Sequence, residues 1–410
     1  MMMMTYQNRE EFIAALGVSQ MPELFAARFD EVMAEYEREG VWFLSEAFLL
    51  ELQQQYHIFR QKLDFVLKAA ERVRKNDFLA RYSLLLYYMQ LDNDHNGEIY
   101  LKEFPHGDES QHADFEMASL FSQIAFAPDM AAYHAAHGVP HEVIEDTFND
   151  CFECPILVCN DCFGRDGSHP RCFAWNQIYM NYRILRVGVL NFEIRQRFTS
   201  AVTVFKNRKG ELAVLANGRD IAPNGQMAES AGCGEVAFHA DITETDEYYE
   251  GYASDPRRAV FQKQKTRLPK SEWQIALQEK DTILNVHIPS AVSFQPQDTA
   301  AAYARAWELF NTCYPEKAPR AFTCFSWLLD PQLKDFLRPS SNVLAFQSRY
   351  HRFAMKSCGT DVYSFLFKKP VERNEDLCED TSLQRAVKAH YLSGKYIYAQ
   401  GGVFFAEDLK

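Results

Sequence analysis

The stretch "TILNVHIPSAVSFQPQDTAAAYARAWELF" (282–310) decides how the C-terminal half is read. Its first part is a short apolar, β-branched run ending at His287, which predicts a strand. A polar loop with two prolines follows. From Thr299 to Phe310 the apolar positions recur at helical spacing. Downstream come "AFTCFSWLLD" (321–330) as a strand, a short helix from Pro331, and "SSNVLAFQSRYHRFA" (340–354) as a helix. "VYSFLFKK" (362–369) reads as a strand, "SLQRAVKAHYL" (382–392) as a helix, and "YIYAQGGVFF" (396–405) as the closing strand. A strand, a loop and a helix N-terminus aim backbone N–H groups at one spot, where a pyrophosphate could sit. The next strand can splay from the first and leave a slot.

Working backwards, "ILRVGVLNFEIRQ" (184–196), "AVTVFKN" (201–207) and "ELAVLANG" (211–218) are β-rich runs joined by Lys209-Gly210 and Asn217-Gly218 turns. Before about residue 180 the texture is helical. "PELFAARFDEVMAEYEREG" (22–40), a long segment from Ser45 to about Lys75, "FLARYSLLLYYMQL" (78–91), 114–126 and 129–137 all carry apolar stripes at helical spacing. "GVP" (138–140) predicts a helix-to-helix turn. The expected organisation is a helical domain over 1–180 and an α+β domain over 181–410.

Here a resemblance enters. "LNVHIPS" (284–290), "FTCFSWLLDPQLKDFLRPSSNVLAFQSRY" (322–350), "RVGVLNFEI" (186–194) and "MAAYHAAHGVPHEVIEDTFND" (130–150) resemble a bacterial family of acyltransferases. Its members join a helical N-acyltransferase N-terminal domain to a GNAT-like C-terminal domain of mixed α/β structure. The order from Thr282 onward is the core order of that GNAT-like domain. The resemblance implies an acyl-CoA as cosubstrate, a small-molecule acyl donor with an unidentified amine or hydroxyl acceptor. His287 is then the candidate base, with Glu193 as the alternative carboxylate. A structural histidine bonded to backbone is the competing reading of His287. Tyr350 falls where such enzymes keep a tyrosine for the leaving thiolate, although it also reads as a core aromatic.

GNAT enzymes carry a glycine-containing loop after the first of these strands, and this chain has none there. Ser290, Ser293 and Gln297 would supplement the amides near Thr299, and Trp327 would form a pocket wall. The missing glycines keep a second reading open, a non-catalytic ligand-binding or scaffold protein on a degenerate GNAT-like fold.

Other motifs carry less. "DNDHNGEIYLKE" (92–103) has the residue pattern of a calcium loop, but Pro105 disrupts the exit helix and no second loop accompanies it. "CFECPILVCNDC" (151–162) spaces its CxxC pairs too closely for a zinc ribbon and reads as core packing. His134, His137 and His141 are split by Gly138 and Pro140 and read as surface residues. "AGCGE" (231–235) lacks the strand–turn–helix a phosphate loop needs. No metal is expected.

The formal net charge of −13 argues against nucleic acid and anionic membranes as partners. No apolar run approaches a membrane span, and the N-terminus lacks a signal-peptide pattern. Ten cysteines, four within twelve residues and six dispersed, do not form the framework of a small secreted fold and fit reduced thiols and a cytoplasmic location.

Overall fold

The computed structural model describes residues 9–17, 27–93, 112–289, 295–368 and 373–409. The chain divides into two compact units, Met1–Arg186 and Val187–Lys410.

The first unit is helical among its described residues. Its helices are α1 (Arg9–Leu16), α2 (Phe29–Glu39), α3 (Glu46–Tyr56), α4 (Leu63–Lys75), α5 (Asp77–Asp92), α6 (His112–Ile124), α7 (Ala127–Ala136), α8 (His141–Phe148), α9 (Cys154–Phe163) and α10 (Cys172–Met180). Helix α5 is apolar nearly all round and buries Leu84, Leu85, Leu86 and Met89, as expected of a helix surrounded by others. Ser45 and Asn76 cap α3 and α5 by accepting from the Phe48 and Leu79 amides.

The long helix expected over 45–75 is broken. His57 and Phe59 take left-handed backbone conformations between α3 and α4, and Ile58 and Phe59 turn into the core. Glu153 supplies the missing cap. Its Oε1 accepts from the Gln61 and Lys62 amides at 2.7 and 3.0 Å. A single π-turn, Asn149–Glu153, links α8 to α9 and carries this buried carboxylate. Glu153→Ala is therefore expected to cost about 1–3 kcal/mol, since two N–H groups lose their acceptor. Urea denaturation monitored by circular dichroism measures it.

Two side-chain expectations resolve here. His134 is buried, not superficial. It continues the inward face of Ala127, Met130 and Ala131 on α7, and burial pushes its imidazole down to about 4. Cys151, Cys159 and Cys162 are core residues, and burial pushes the Cys159 thiol up to about 12.

The second unit begins where the chain turns to strands. They are β1 (Ile184–Val187, at the boundary), β2 (Leu190–Arg195), β3 (Val202–Asn207), β4 (Leu212–Ala216), β5 (Arg219–Ile221), β6 (Phe238–Ala240) and β7 (Thr243–Glu244). After these come β8 (Tyr248–Asp255), β9 (Val260–Pro269), β10 (Trp273–Leu277), β11 (Ile283–His287), β12 (Phe322–Ser326), β13 (His351–Ala354) and β14 (Gln400–Phe404). Helices α11 (Pro296–Cys313), α12 (Asn342–Ser348) and α13 (Ser382–Leu392) interrupt the last strands.

One six-stranded sheet has the order β1-β2-β11-β12-β14-β13. A second runs β10-β3-β4-β8-β7, with β9 on β8. The sheets share a core in which Ile283, Phe353, Val403 and Phe405 meet Val204, Val214, Phe261 and Leu277. The other face of the first sheet carries Phe322 and Phe404, against Tyr303 of α11. This is an α+β chain.

The strand order contains two surprises. The helix expected over 340–354 stops at Ser348, and His351–Ala354 pairs with β14 instead. Room for that pairing comes from Gly401 and Gly402. A Cβ at Gly401 would lie 2.3 Å from the Phe353 ring, and one at Gly402 2.9 Å from Tyr350. The strand expected over 362–369 is a π-turn, Tyr363–Phe367. It packs into a satellite apolar cluster with Leu333, Val387 and Tyr391 rather than onto a sheet edge.

Candidate active site

The first sheet is antiparallel between β2 and β11, and parallel between β11 and β12. The parallel ladder has rungs at Leu284–Phe322 and Asn285–Thr323 and none beyond. Yet β11 stays paired with β2 as far as His287–Asn191, and β12 with β14 as far as Ser326–Gln400. Each strand keeps its outer neighbour while losing the other. The two strands part at their C-terminal ends, and α11 connects them. This is the opening expected from the strand–loop–helix–strand order.

His287 stands at the mouth of that opening. Alternation along the strands puts Asn285 and His287 on one face, with Glu193 directly opposite Asn285. Glu193 is fully buried, and its Oε2 lies 2.8 Å from His287 Nε2. Arg195 Nε donates to the same oxygen at 2.7 Å. The Asn285 amide is 3.0 Å from His287 Nε2 and is held from β12 by the Thr323 hydroxyl at 3.2 Å. A carboxylate can only accept, so this contact is made when the ring carries a hydrogen on Nε2. A buried carboxylate on an imidazole orients the ring and stabilises it once protonated, as a general base requires.

Sequence reasoning offered His287 and Glu193 as rivals, and the structure brings them together. Arg195, Asn285 and Thr323 were missed. The available signal was a polar residue at every second position in otherwise apolar strands, "NFEIR" and "LNVH".

Tyr350 lies elsewhere. The Leu284–Phe322 and Phe322–Phe404 registers define the opposite face of the sheet, and Tyr350 packs there on Phe404. Its hydroxyl is 2.6 Å from that of Tyr303. Burial pushes both phenols well above their ordinary range. The structure thus separates Tyr350 from His287 by the thickness of the sheet.

Among the candidate cofactor residues, Ser290 and Ser293 lie outside the described residues. Gln297 is exposed in the first turn of α11, while Thr299 is buried and turns its hydroxyl onto the Pro296 carbonyl at 3.0 Å. Gln295 opens the helix without a side-chain cap, but Pro296 has no N–H and the Asp298 and Thr299 amides already donate to the Gln295 carbonyl at 3.1 Å, so the start of α11 offers a ligand few free amides. Trp327 follows β12 in a short 3₁₀ turn and packs on the satellite cluster. Asp330 is a cap, accepting from the Gln332 and Tyr398 amides. Burial pushes its carboxyl up to about 6.

The calcium-like loop lies largely outside the described residues; its first position, Asp92, is ion-paired with Arg28 at 2.9 Å. Among the described residues no three His, Cys, Asp or Glu side chains converge as metal ligands. No described helix is long and apolar enough to cross a membrane.

Comparison with known proteins follows the same lines. Residues 184–404, more than half of the chain, match the family of the GNAT-like C-terminal domain. The chain belongs to that family. Residues 68–180 match the N-acyltransferase N-terminal domain. Similar solved structures include an acyltransferase in complex with CoA and 10C-teicoplanin, and one in complex with decanoyl-CoA and teicoplanin. Each aligns over 97% of this chain and 98% of its own, at 17% identity and a TM-score of 0.63. An acyltransferase in complex with decanoyl-CoA aligns over the same shares at 16% identity and a TM-score of 0.62. At that identity the likeness is one of fold. No curated protein matches the chain in sequence. The GNAT-like domain thus supplies the parted strands, and this chain's own residues supply the polar row beside them.

Proposed function

We propose that the protein transfers an acyl group from an acyl-CoA to the amine or hydroxyl of a small-molecule acceptor. The observation that carries this reading is the His287–Glu193 pair at the mouth of the parted strands. His287 takes the proton of the attacking group as it adds to the thioester carbonyl. The new C–N or C–O bond forms, the C–S bond breaks, and the leaving thiolate receives, directly or through water, the proton that His287 took up. Glu193 stabilises the imidazolium in between. The strand edges facing the gap suit the amide groups of a pantetheine arm. The solved relatives with CoA and decanoyl-CoA support this donor class, and those with teicoplanin support an acceptor of small-molecule size.

The test is binding followed by turnover. Decanoyl-CoA at 100 times its dissociation constant should stabilise the protein by about 2.7 kcal/mol, read as a rise in Tm. Incubation with amine acceptors should then yield an acylated product and free CoA by mass spectrometry. Absence of both effects overturns the proposal. Stabilisation without turnover across a broad acceptor panel favours the ligand-binding reading, for which the glycine-free loop already speaks.

A further inference from the structure

Two groups converge on one nitrogen of His287. Nε2 lies 2.8 Å from Glu193 Oε2 and 3.0 Å from the Asn285 amide. Arg195 already donates to that carboxylate oxygen, which fixes it as an acceptor. The contact from His287 therefore needs a hydrogen on Nε2. An Asn285 NH2 aimed at the same nitrogen would need a lone pair there, and Nε2 cannot supply both. An amide's oxygen and nitrogen have nearly the same shape, so the network around them decides the assignment. With Oδ1 turned toward Nε2, a single N–H is shared between Glu193 and Asn285. The NH2 then faces Thr323, whose hydroxyl accepts as readily as it donates at 3.2 Å.

The placement is fixed by the sheet. Asn285 is in register with Glu193 on β2 and with Thr323 on β12. All three are essentially shielded from solvent. Asn285–Thr323 is also the last rung before β11 and β12 part. Buried polar networks impose one arrangement when every member is satisfied.

We propose that Asn285 and Thr323 are positioning residues that lock the His287 ring in the Nε2–H tautomer against Glu193. This rests on the reading of His287 as the base, but the tautomer is measurable without any turnover.

The experiment uses the full chain labelled with ¹⁵N-histidine. The His287 resonances are assigned by their loss in His287→Gln. The proposal requires the Nε2–H signature in the neutral wild-type ring, and a mixture of tautomers in Thr323→Val and Asn285→Ala. Thr323→Ser retains the hydroxyl and should restore the wild-type signature. In steady-state kinetics Thr323→Val should lose kcat by about 10–100-fold, the usual weight of a group that orients a functional imidazole, with KM for acyl-CoA unchanged. An Nδ1–H signature in the wild type overturns the proposal, as does an unchanged tautomer in Thr323→Val. If Asn285→Ala fails to fold, the Thr323→Val and Thr323→Ser pair decides. Should the wild type show no transfer at all, the functional reading fails while the spectrum still tests the tautomer.

Discussion

His287→Ala is expected to lower kcat by roughly 10²–10⁴-fold, the range typical of a lost general base. KM for the acyl-CoA should move little, because on the proposed reading the imidazole acts on the acceptor and the strand edges hold the donor. The side chain is only about one-fifth exposed and its partner Glu193 is fully buried, so Tm should fall as well and kcat has to be read per folded molecule. Loss of kcat per folded molecule separates a base from a merely structural histidine, whose removal would lower Tm alone. Glu193→Gln should cost less in kcat, since the amide can still hold the ring but no longer stabilises its charge. Equal turnover in His287→Ala and wild type would move the base elsewhere.

Gly401→Val is expected to destabilise the second unit by about 3 kcal/mol, at the upper end of ordinary overpacking. Three Phe353 ring atoms would lie within 2.9 Å of the new Cβ. Phe353 is fully buried in the core between the two sheets, so its ring has nowhere to retreat. Guanidinium denaturation of both single mutants and the Gly401→Val/Phe353→Leu double mutant would measure the coupling. The smaller leucine should recover part of the loss, a non-additivity expected only of residues in contact. A fully additive cycle would mean that the strand shifts as a whole instead.

The strand–helix–strand core was legible because each piece announces itself locally. "TILNVHI" is short and β-branched, and α11 carries Ala302, Tyr303, Ala306 and Phe310 on one buried stripe. Strand β13 was not legible. "SRYHRFA" continues a helical spacing, and it becomes a strand only because two glycines far along the chain open a place beside it. Tertiary packing overrode local preference there. In the same way "YSFLF" has strand-like residues but no strand edge to join. At the site, the residue types were readable and their partnership was not. Glu193 and His287 are 94 positions apart, and only the register of β2 on β11 puts the carboxylate on the imidazole.

The early end of the ladder between β11 and β12 has a consequence for selectivity. A strand edge measures the spacing of donors and acceptors along a ligand and nothing about its substituents. A pantetheine arm presents the same two amides whatever is esterified to its sulfur. On the proposed binding mode, the gap in the sheet would recognise the handle of the donor and be indifferent to its cargo. Discrimination by acyl length would then have to come from side chains beyond the gap. Those walls can change in sequence without touching a single rung of the sheet, so one backbone frame can serve short and long acyl donors alike.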